Sequence, residues 1–312
     1  MAIKTAFPID PALTGIAIAW RNPEGSLIAE QVMPLCPSVD AEEFTYLEYD
    51  MAQGFTVPQT GVGRKGRVTE IDTKAEEKTG STKDYGLEQP VPEKDIKAAG
   101  KRGVNLTGHT VEMIMNLLDL DEEIRVAGVV QSAANYDAAQ VETLAGTDQW
   151  TDPAADPLDV LSGVLDDMII RPNIMVLNQK AFGLLRRHPN VIKAIYPSSD
   201  GKGSVTKAQL IEELQLDDIL VGKAFVNNAR PGQDPAFSRT WGAHVALHYR
   251  DKRASTQAGV TWGLTVPFST PVAGAWPDKD IGLRGGTRVR CGRSRVNLVL
   301  AKLAGYLVQN VY

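Results

Sequence analysis

Apolar and polar positions change period several times along the chain, and the changes mark its parts. The first forty residues carry Pro8, Pro11, Pro23, Pro34 and Pro37. Each proline fixes φ and removes a backbone donor, so 1–40 reads as an extended arm with short strands such as 27–33. The period then becomes two: Phe44, Tyr46 and Glu48 alternate with Thr45, Leu47 and Tyr49, predicting a strand with large residues on both faces. Gly54, Pro58, Gly61, Gly63 and Gly66 are turn punctuation. A second strand is predicted over 67–74, followed by the charged run Glu76, Glu77, Lys78.

Over 110–134 the period becomes helical. Glu112, Asn116, Asp119 and Glu123 recur at spacings of four, three and four and share a face. Ile114, Leu117, Leu118, Ile124, Ala127 and Val130 cover a broad apolar remainder. Roughly 25 residues at 1.5 Å each make a rod of about 37 Å, about twice the mean helix length.

From 155 helices and strands alternate. The pattern predicts helices over 158–169, 179–187 (stopped before Pro189) and up to 214 from a cap at Ser204 or Thr206. It predicts strands over 174–177 and 219–226, then 244–250, 260–266, 287–291 and 296–307. Residues 155–280 therefore read as one mixed α/β lobe, and the last thirty residues as a return onto the long helix. No internal repeat or low-complexity tract interrupts this order.

Composition narrows the classes. Apolar residues make up 43% and charged residues 23% of 312, ordinary values for a folded chain. Net charge is −5, from 33 basic and 38 acidic residues. That balance argues against a protein that grips nucleic acid tightly by its phosphates. Cys36 and Cys291 do not make a disulfide framework, so two reduced thiols in an intracellular protein are expected. No stretch has the length of a signal peptide core or a membrane helix, and a soluble, non-secreted protein is expected.

Motifs that would carry catalysis fail on context. Gly61-Val62-Gly63-Arg64-Lys65-Gly66 fits GxGxxG but has a predicted strand after it where a dinucleotide site needs a helix. Gly201-Lys202-Gly203-Ser204 lacks phosphate-loop spacing. His244 and His248 lie on a predicted strand, without the helical placement of a metal pair. The adjacent carboxylates Asp166–Asp167 and Asp217–Asp218 diverge on any regular element. No catalytic residues, cofactor or metal ligands are assigned.

Two charged segments point to a partner instead. Residues 64–102 hold ten basic and eight acidic residues with few large apolar ones. Such a segment buries little of its own surface, and an isolated two-stranded hairpin is marginal in water. Something must hold it, and that first suggests assembly. Beyond Asp280, Arg284, Arg288, Arg290, Arg293, Arg295 and Lys302 form a basic tail. Pairing of Arg288 and Arg290 with acidic residues of another subunit is favoured over contact with nucleic acid.

The ordered set of parts resembles the major capsid proteins of tailed bacteriophages, a fold shared with encapsulins and the herpesvirus capsid floor. Thr107-Gly-His-Thr-Val-Glu-Met113 with Asp121-Glu-Glu-Ile-Arg-Val-Ala127 looks like that family's spine helix. Gly146-Thr-Asp-Gln-Trp-Thr-Asp152, followed by Asp156-Pro-Leu158, looks like the passage into its axial lobe. Asn173-Ile-Met-Val-Leu-Asn178, Phe182 and Leu184-Leu-Arg-Arg-His-Pro189 are similar to that lobe's strand–helix unit.

The resemblance implies an α+β fold: an N-terminal arm (1–40), an extended β-hairpin loop (41–103), a peripheral domain with the spine helix (104–154 and 281–312) and a mixed α/β axial domain (155–280). It implies a shell of hexamers and pentamers of this chain around double-stranded DNA, bound without sequence specificity. Portal, scaffolding or decoration proteins are implied partners, with assembly in the host cytoplasm and no membrane. Arg64, Lys65, Arg67, Glu76 and Glu77 are the expected inter-subunit contacts, since nothing else explains so charged an arm. Two rivals remain: an encapsulin-type compartment of the same fold, and an enzyme using the 155–280 lobe.

Overall fold

The computed structural model describes residues 26–49, 51–72, 74–101, 105–230, 232–255 and 259–312. Pro8, Pro11 and Pro23 of the expected arm lie outside them. In chain order the elements that position the rest are α1 (Ala29–Val32), β1 (Glu43–Tyr49), α2 (Met51–Phe55), β2 (Ala75–Ser81), β3 (Lys83–Pro92), α3 (Glu93–Gly100) and α4 (Leu106–Val130). There follow β4 (Val141–Thr143), α5 (Pro157–Asp167), β5 (Ile174–Asn178), α6 (Gln179–Arg187), α7 (Pro189–Ile195), α8 (Lys207–Leu214) and β6 (Asp218–Gly222). The chain ends with β7 (Phe225–Asn227), β8 (Phe237–Arg239), β9 (Val245–His248), β10 (Gly263–Asp278), β11 (Gly286–Val299) and β12 (Gly305–Gln309).

Two sheets carry the core. One has the order β10-β11-β3, all antiparallel; the other is mixed, with the order β4-β12-β9-β5-β6. All five residues of β5 are buried, as expected of a strand covered on both faces. On one face Met175, Leu177, Val245 and Leu247 meet Leu161, Leu165, Leu185, Ile192 and Leu210 of the four helices α5 to α8. On the other, Ile174, Val176, Ala246 and Leu307 meet Val126, Ala127 and Val130 of α4. The first half of α4 packs elsewhere: Val111, Ile114, Met115 and Leu118 lie on Val91, Ala273, Val289 and Cys291 of the three-stranded sheet. One 25-residue helix thus serves two hydrophobic cores.

Local signals explain where helices start. Asn105 accepts the Gly108 amide at 3.0 Å and starts α4, four residues earlier than the periodicity suggests. Asn178 accepts the Ala181 amide and starts α6, which ends before Pro189. Thr206 and Gln209 form a reciprocal capping box on α8.

Several expected boundaries are corrected. Residues 27–33 hold the short helix α1, whose first amides find a carboxylate acceptor, and no strand. Of the strand expected over 67–74, residues 67–72 and 74 form no strand; the pairing strand is β2, so Glu76 and Glu77 lie inside it, opposite Glu48 and Leu47. The stretch 219–226 splits into β6 and β7 after Gly222, where a Cβ would come 2.1 Å from the Trp241 ring. The strands expected at 287–291 and 296–307 are the single strand β11 followed by β12. β12 lies in the five-stranded sheet, parallel to β4 and antiparallel to β9, beside residues of the 155–280 lobe.

Candidate functional site

The surface with functional potential is built from the loop, the long helix and the basic strand. β1 and β2 pair over seven residues, Glu43 opposite Ser81 through Tyr49 opposite Ala75. Seven residues at about 3.3 Å give a ribbon of roughly 23 Å. Residues 51–72 continue it, with Phe55, Val57, Val68 and Ile71 all exposed; Val57 reaches 83%. The ribbon's internal ion pair is Lys78 with Glu48. The predicted Arg64, Lys65 and Arg67 sit on a turn and the irregular segment after it, and Glu76 and Glu77 on β2; all five are exposed. Among the described residues none of the five forms an ion pair. The structure brings Arg64, Lys65 and Arg67 into one loop and leaves Glu76 and Glu77 on the ribbon.

The basic strand β11 is neutralised within its own chain, which corrects the expectation that Arg288 and Arg290 reach another subunit. Arg288 donates to Glu88 at 2.8 Å and to Asp278 at 2.7 Å, and Arg290 donates to Glu88 at 2.7 Å. The guanidinium of Arg288 is the chief reason the Glu88 carboxyl falls below the usual range. Adjacent strands carry these partners, so the charges meet as cross-strand neighbours. Farther along, Arg293 and Arg295 are buried and share Glu122 Oε2 at 2.9 and 2.6 Å. Arg293 also pairs with Asp119, and Arg295 with Glu30 at 3.0 Å.

Sequence spacing misplaces the polar face of α4. Glu123 is 0% exposed, and Glu122 is buried beside it. Meanwhile Leu117 is 48% exposed, and Met113 and Ile124 are exposed on the same side. Glu123 Oε2 accepts the amides of Ile28 and Ala29 at 2.8 and 2.7 Å, and Oε1 accepts the Trp241 indole N–H at 2.6 Å. Burial pushes this carboxyl above the ordinary carboxylate range, against the pull of those three donors. No periodicity could find Glu123, because its partners lie about a hundred residues away on either side.

The two histidines do not converge on a metal. His248 is buried on β9, its ring stacked 3.8 Å from Trp262 and its Nε2 2.7 Å from the Tyr136 hydroxyl. That hydroxyl donates to the Val130 carbonyl, so His248 Nε2 donates to Tyr136. Burial lowers the His248 pKa to about 3 and keeps the ring neutral. Among the described residues no group of three or more His, Cys, Asp and Glu side chains could hold a metal ion. Nor is any described helix long and apolar enough to cross a membrane. Both cysteines are free thiols, and burial raises Cys291 to about 11.

A helix shared by two sheets, with a projecting ribbon and a mixed lobe, defines a shell-forming subunit, and the comparisons agree. No family model matches the sequence. The chain is 47% identical over 97% of its length to the major capsid protein of Pseudomonas phage JBD67, covering 97% of that protein. It is 26% identical to the major capsid protein of Burkholderia phage BcepMu, over 77% of this chain and 76% of that one. A solved phage-related protein from Bordetella bronchiseptica superposes with TM-score 0.75 at 23% identity, over 98% of this chain and 99% of that one. The capsid of cyanophage P-SCSP1u gives 0.60 at 11%, covering 93% and 90%. An encapsulin from Synechococcus elongatus gives 0.54 at 10%, covering 99% and 92%. The chain belongs to the phage major capsid protein family, and its role is that of a capsid shell subunit.

Proposed function

We propose that copies of this chain assemble as hexamers and pentamers into an icosahedral shell around packaged double-stranded DNA. The loop, 41–103, lies over the adjacent subunit, and Arg64, Lys65, Arg67, Glu76 and Glu77 contribute contacts there. The observation that carries this reading is the ribbon itself: it is exposed, buries almost nothing, and leaves Arg64, Lys65 and Arg67 without ion partners among the described residues. A segment of this kind gains order by lying on a neighbour. We divide the chain into arm (1–40), loop (41–103), peripheral part (104–154 and 281–312) and axial part (155–280), with β4 and β12 reaching into the axial sheet. DNA is enclosed without sequence-specific binding, consistent with net charge −5 and a basic strand already paired internally. Portal and scaffolding or decoration proteins complete the particle, assembly takes place in the host cytoplasm, and the subunit carries no catalytic role.

The likeness to an encapsulin concerns the fold alone, whereas the 47% identity is to a phage capsid protein. Electron microscopy of the expressed chain tests the reading. Rings of five or six, or closed shells, are expected; a monomer that forms no larger species at high concentration overturns it.

A further inference from the structure

Charge is unevenly spread over the lobe that carries α6 and α7. Residues 179–207 hold Lys180, Arg186, Arg187, Lys193, Lys202 and Lys207 against one acid, Asp200, in a chain of net charge −5. Lys207 pairs with Asp218 at 2.7 Å; among the described residues the other five form no ion pair. The residues outside the described set hold Asp10, Glu24 and Asp50 against Lys4, Arg21 and Arg102, so they bring no net charge to balance the excess. The loop after α7 gathers these cations. The Val205 amide donates to the Arg186 carbonyl at 2.9 Å, and a Cβ at Gly201, beside Lys202, would come 3.1 Å from the Lys193 side chain and 3.3 Å from Pro189.

The basic segment borders a cleft of about 180 Å³ between the approach to α5 and the joint of α6 with α7. Pro153, Leu184 and Pro189 are its apolar walls, and exposed Arg187 stands at its edge. His188 joins the two sides: Nδ1 accepts the Asn190 amide at 3.4 Å, and Nε2 donates to the Asp152 carbonyl at 3.0 Å. Trp150 also lines the cleft. It is 2% exposed, and its indole N–H has no acceptor among the described residues. Buried donors are nearly always paired, so an orphan beside a cleft calls for an acceptor.

The polar groups of Trp150, Arg187, Lys193 and Lys202 are donors only. Residues 150–153 and 184–202 hold two acids, Asp152 and Asp200, and the Asp152 carboxylate accepts the Ala154 amide at 2.8 Å. A fitting ligand therefore brings negative acceptors and one apolar group. A cavity of roughly 150 Å³ takes up a benzene ring, so a single large side chain has room. Duplex DNA brings the charge without an apolar group free to enter.

We propose that this cleft binds an acidic peptide segment of a partner protein, one apolar side chain lying between Pro153, Leu184 and Pro189 and its carboxylates meeting Arg187, Lys193 and Lys202. The walls select the anchor, and the cations speed encounter and fix register. The inference goes beyond the shell reading and is tested apart from it.

The test titrates the full chain, as shells and as dissociated subunits, into a fluorescein-labelled peptide Glu-Glu-Leu-Glu-Glu and follows polarisation. Saturable binding is expected in both forms, severalfold weaker for Glu-Glu-Ser-Glu-Glu. Lys193→Glu with Lys202→Glu should lower affinity at least about tenfold, since like charges then face each other. Both lysines are exposed and outside any ion pair among the described residues, so the fold tolerates the change. Lys279→Glu, equally exposed on the turn after β10, should leave binding unchanged. No saturable binding, equal binding of the serine peptide, an unaffected double variant, or a short DNA duplex bound as tightly overturns the site. Binding by subunits that is lost in shells also overturns it, since the cleft then lies between copies. A chain that never assembles overturns the shell reading, and peptide binding by its subunits still decides the site.

Discussion

Glu123 accepts the Trp241 indole N–H at 2.6 Å, and through it the long helix holds the segment that leads into β9. The same carboxylate holds the start of α1 by two amides, so three distant segments meet on one side chain. Glu123→Ala leaves three buried donors without an acceptor and should lower stability by roughly 2–5 kcal/mol. Glu123→Gln keeps an oxygen for the amides but turns an N–H₂ toward the indole, for a smaller loss of roughly 1–3 kcal/mol. Denaturant unfolding of both variants, with Trp241→Phe as a third, measures the difference.

Glu122 should matter as much, for a different reason. It is the shared counter-charge of buried Arg293 and Arg295. Removing one member of a buried ion network strands the others, at a cost of roughly 3–5 kcal/mol. Glu122→Ala is therefore expected to be far more damaging than Glu76→Ala on the exposed ribbon. Urea midpoints of the two variants check the ranking.

The buried His248 sets a pH window. Its folded pKa of about 3 lies below the ordinary value of 6.5, so the unfolded chain takes up this proton first as pH falls. Stability from this group is complete above about pH 6.5 and drains away toward pH 3. His248→Phe should flatten that part of the profile. The readout is the difference between wild-type and variant unfolding free energies across the window; parallel curves would contradict the assignment.

Gly305 allows that cluster to close. A Cβ there would lie 2.3 Å from Trp262 Cδ1 and 3.0 Å from Tyr136. Gly305→Ala should cost about 1–3 kcal/mol through overpacking and disturb the stacked rings. Near-ultraviolet circular dichroism and thermal unfolding report the two effects.

Much of the helical scaffold could be read from the chain because its signals are local. Asn178, Pro189 and Thr206 are caps and stops that act within a few residues, and α6 and α8 fall as expected, whereas α7, which Pro189 opens, was not expected. The long strands could not be read the same way. β10 contains Pro267, Pro271 and Pro277, which break a strand pattern, yet it lies on a sheet edge where a missing donor is tolerated. Gly292 similarly suggests a turn inside what is one continuous strand, where it lies against the backbone of Tyr85 and Gly86. The loop's exposure was legible from its composition. The buried carboxylates of α4 were not, because each is satisfied by residues far away in sequence.

The sharing of α4 between two sheets has a consequence for how the molecule comes apart. Forming the first turn of a helix is costly, while each later residue adds a bond for its own ordering. If either sheet let go of its half, the other would have to support a frayed helix whose nucleation free energy it now bears alone. The two sheets, with separate hydrophobic clusters, should therefore melt in a single cooperative transition, with a calorimetric enthalpy equal to the van't Hoff value.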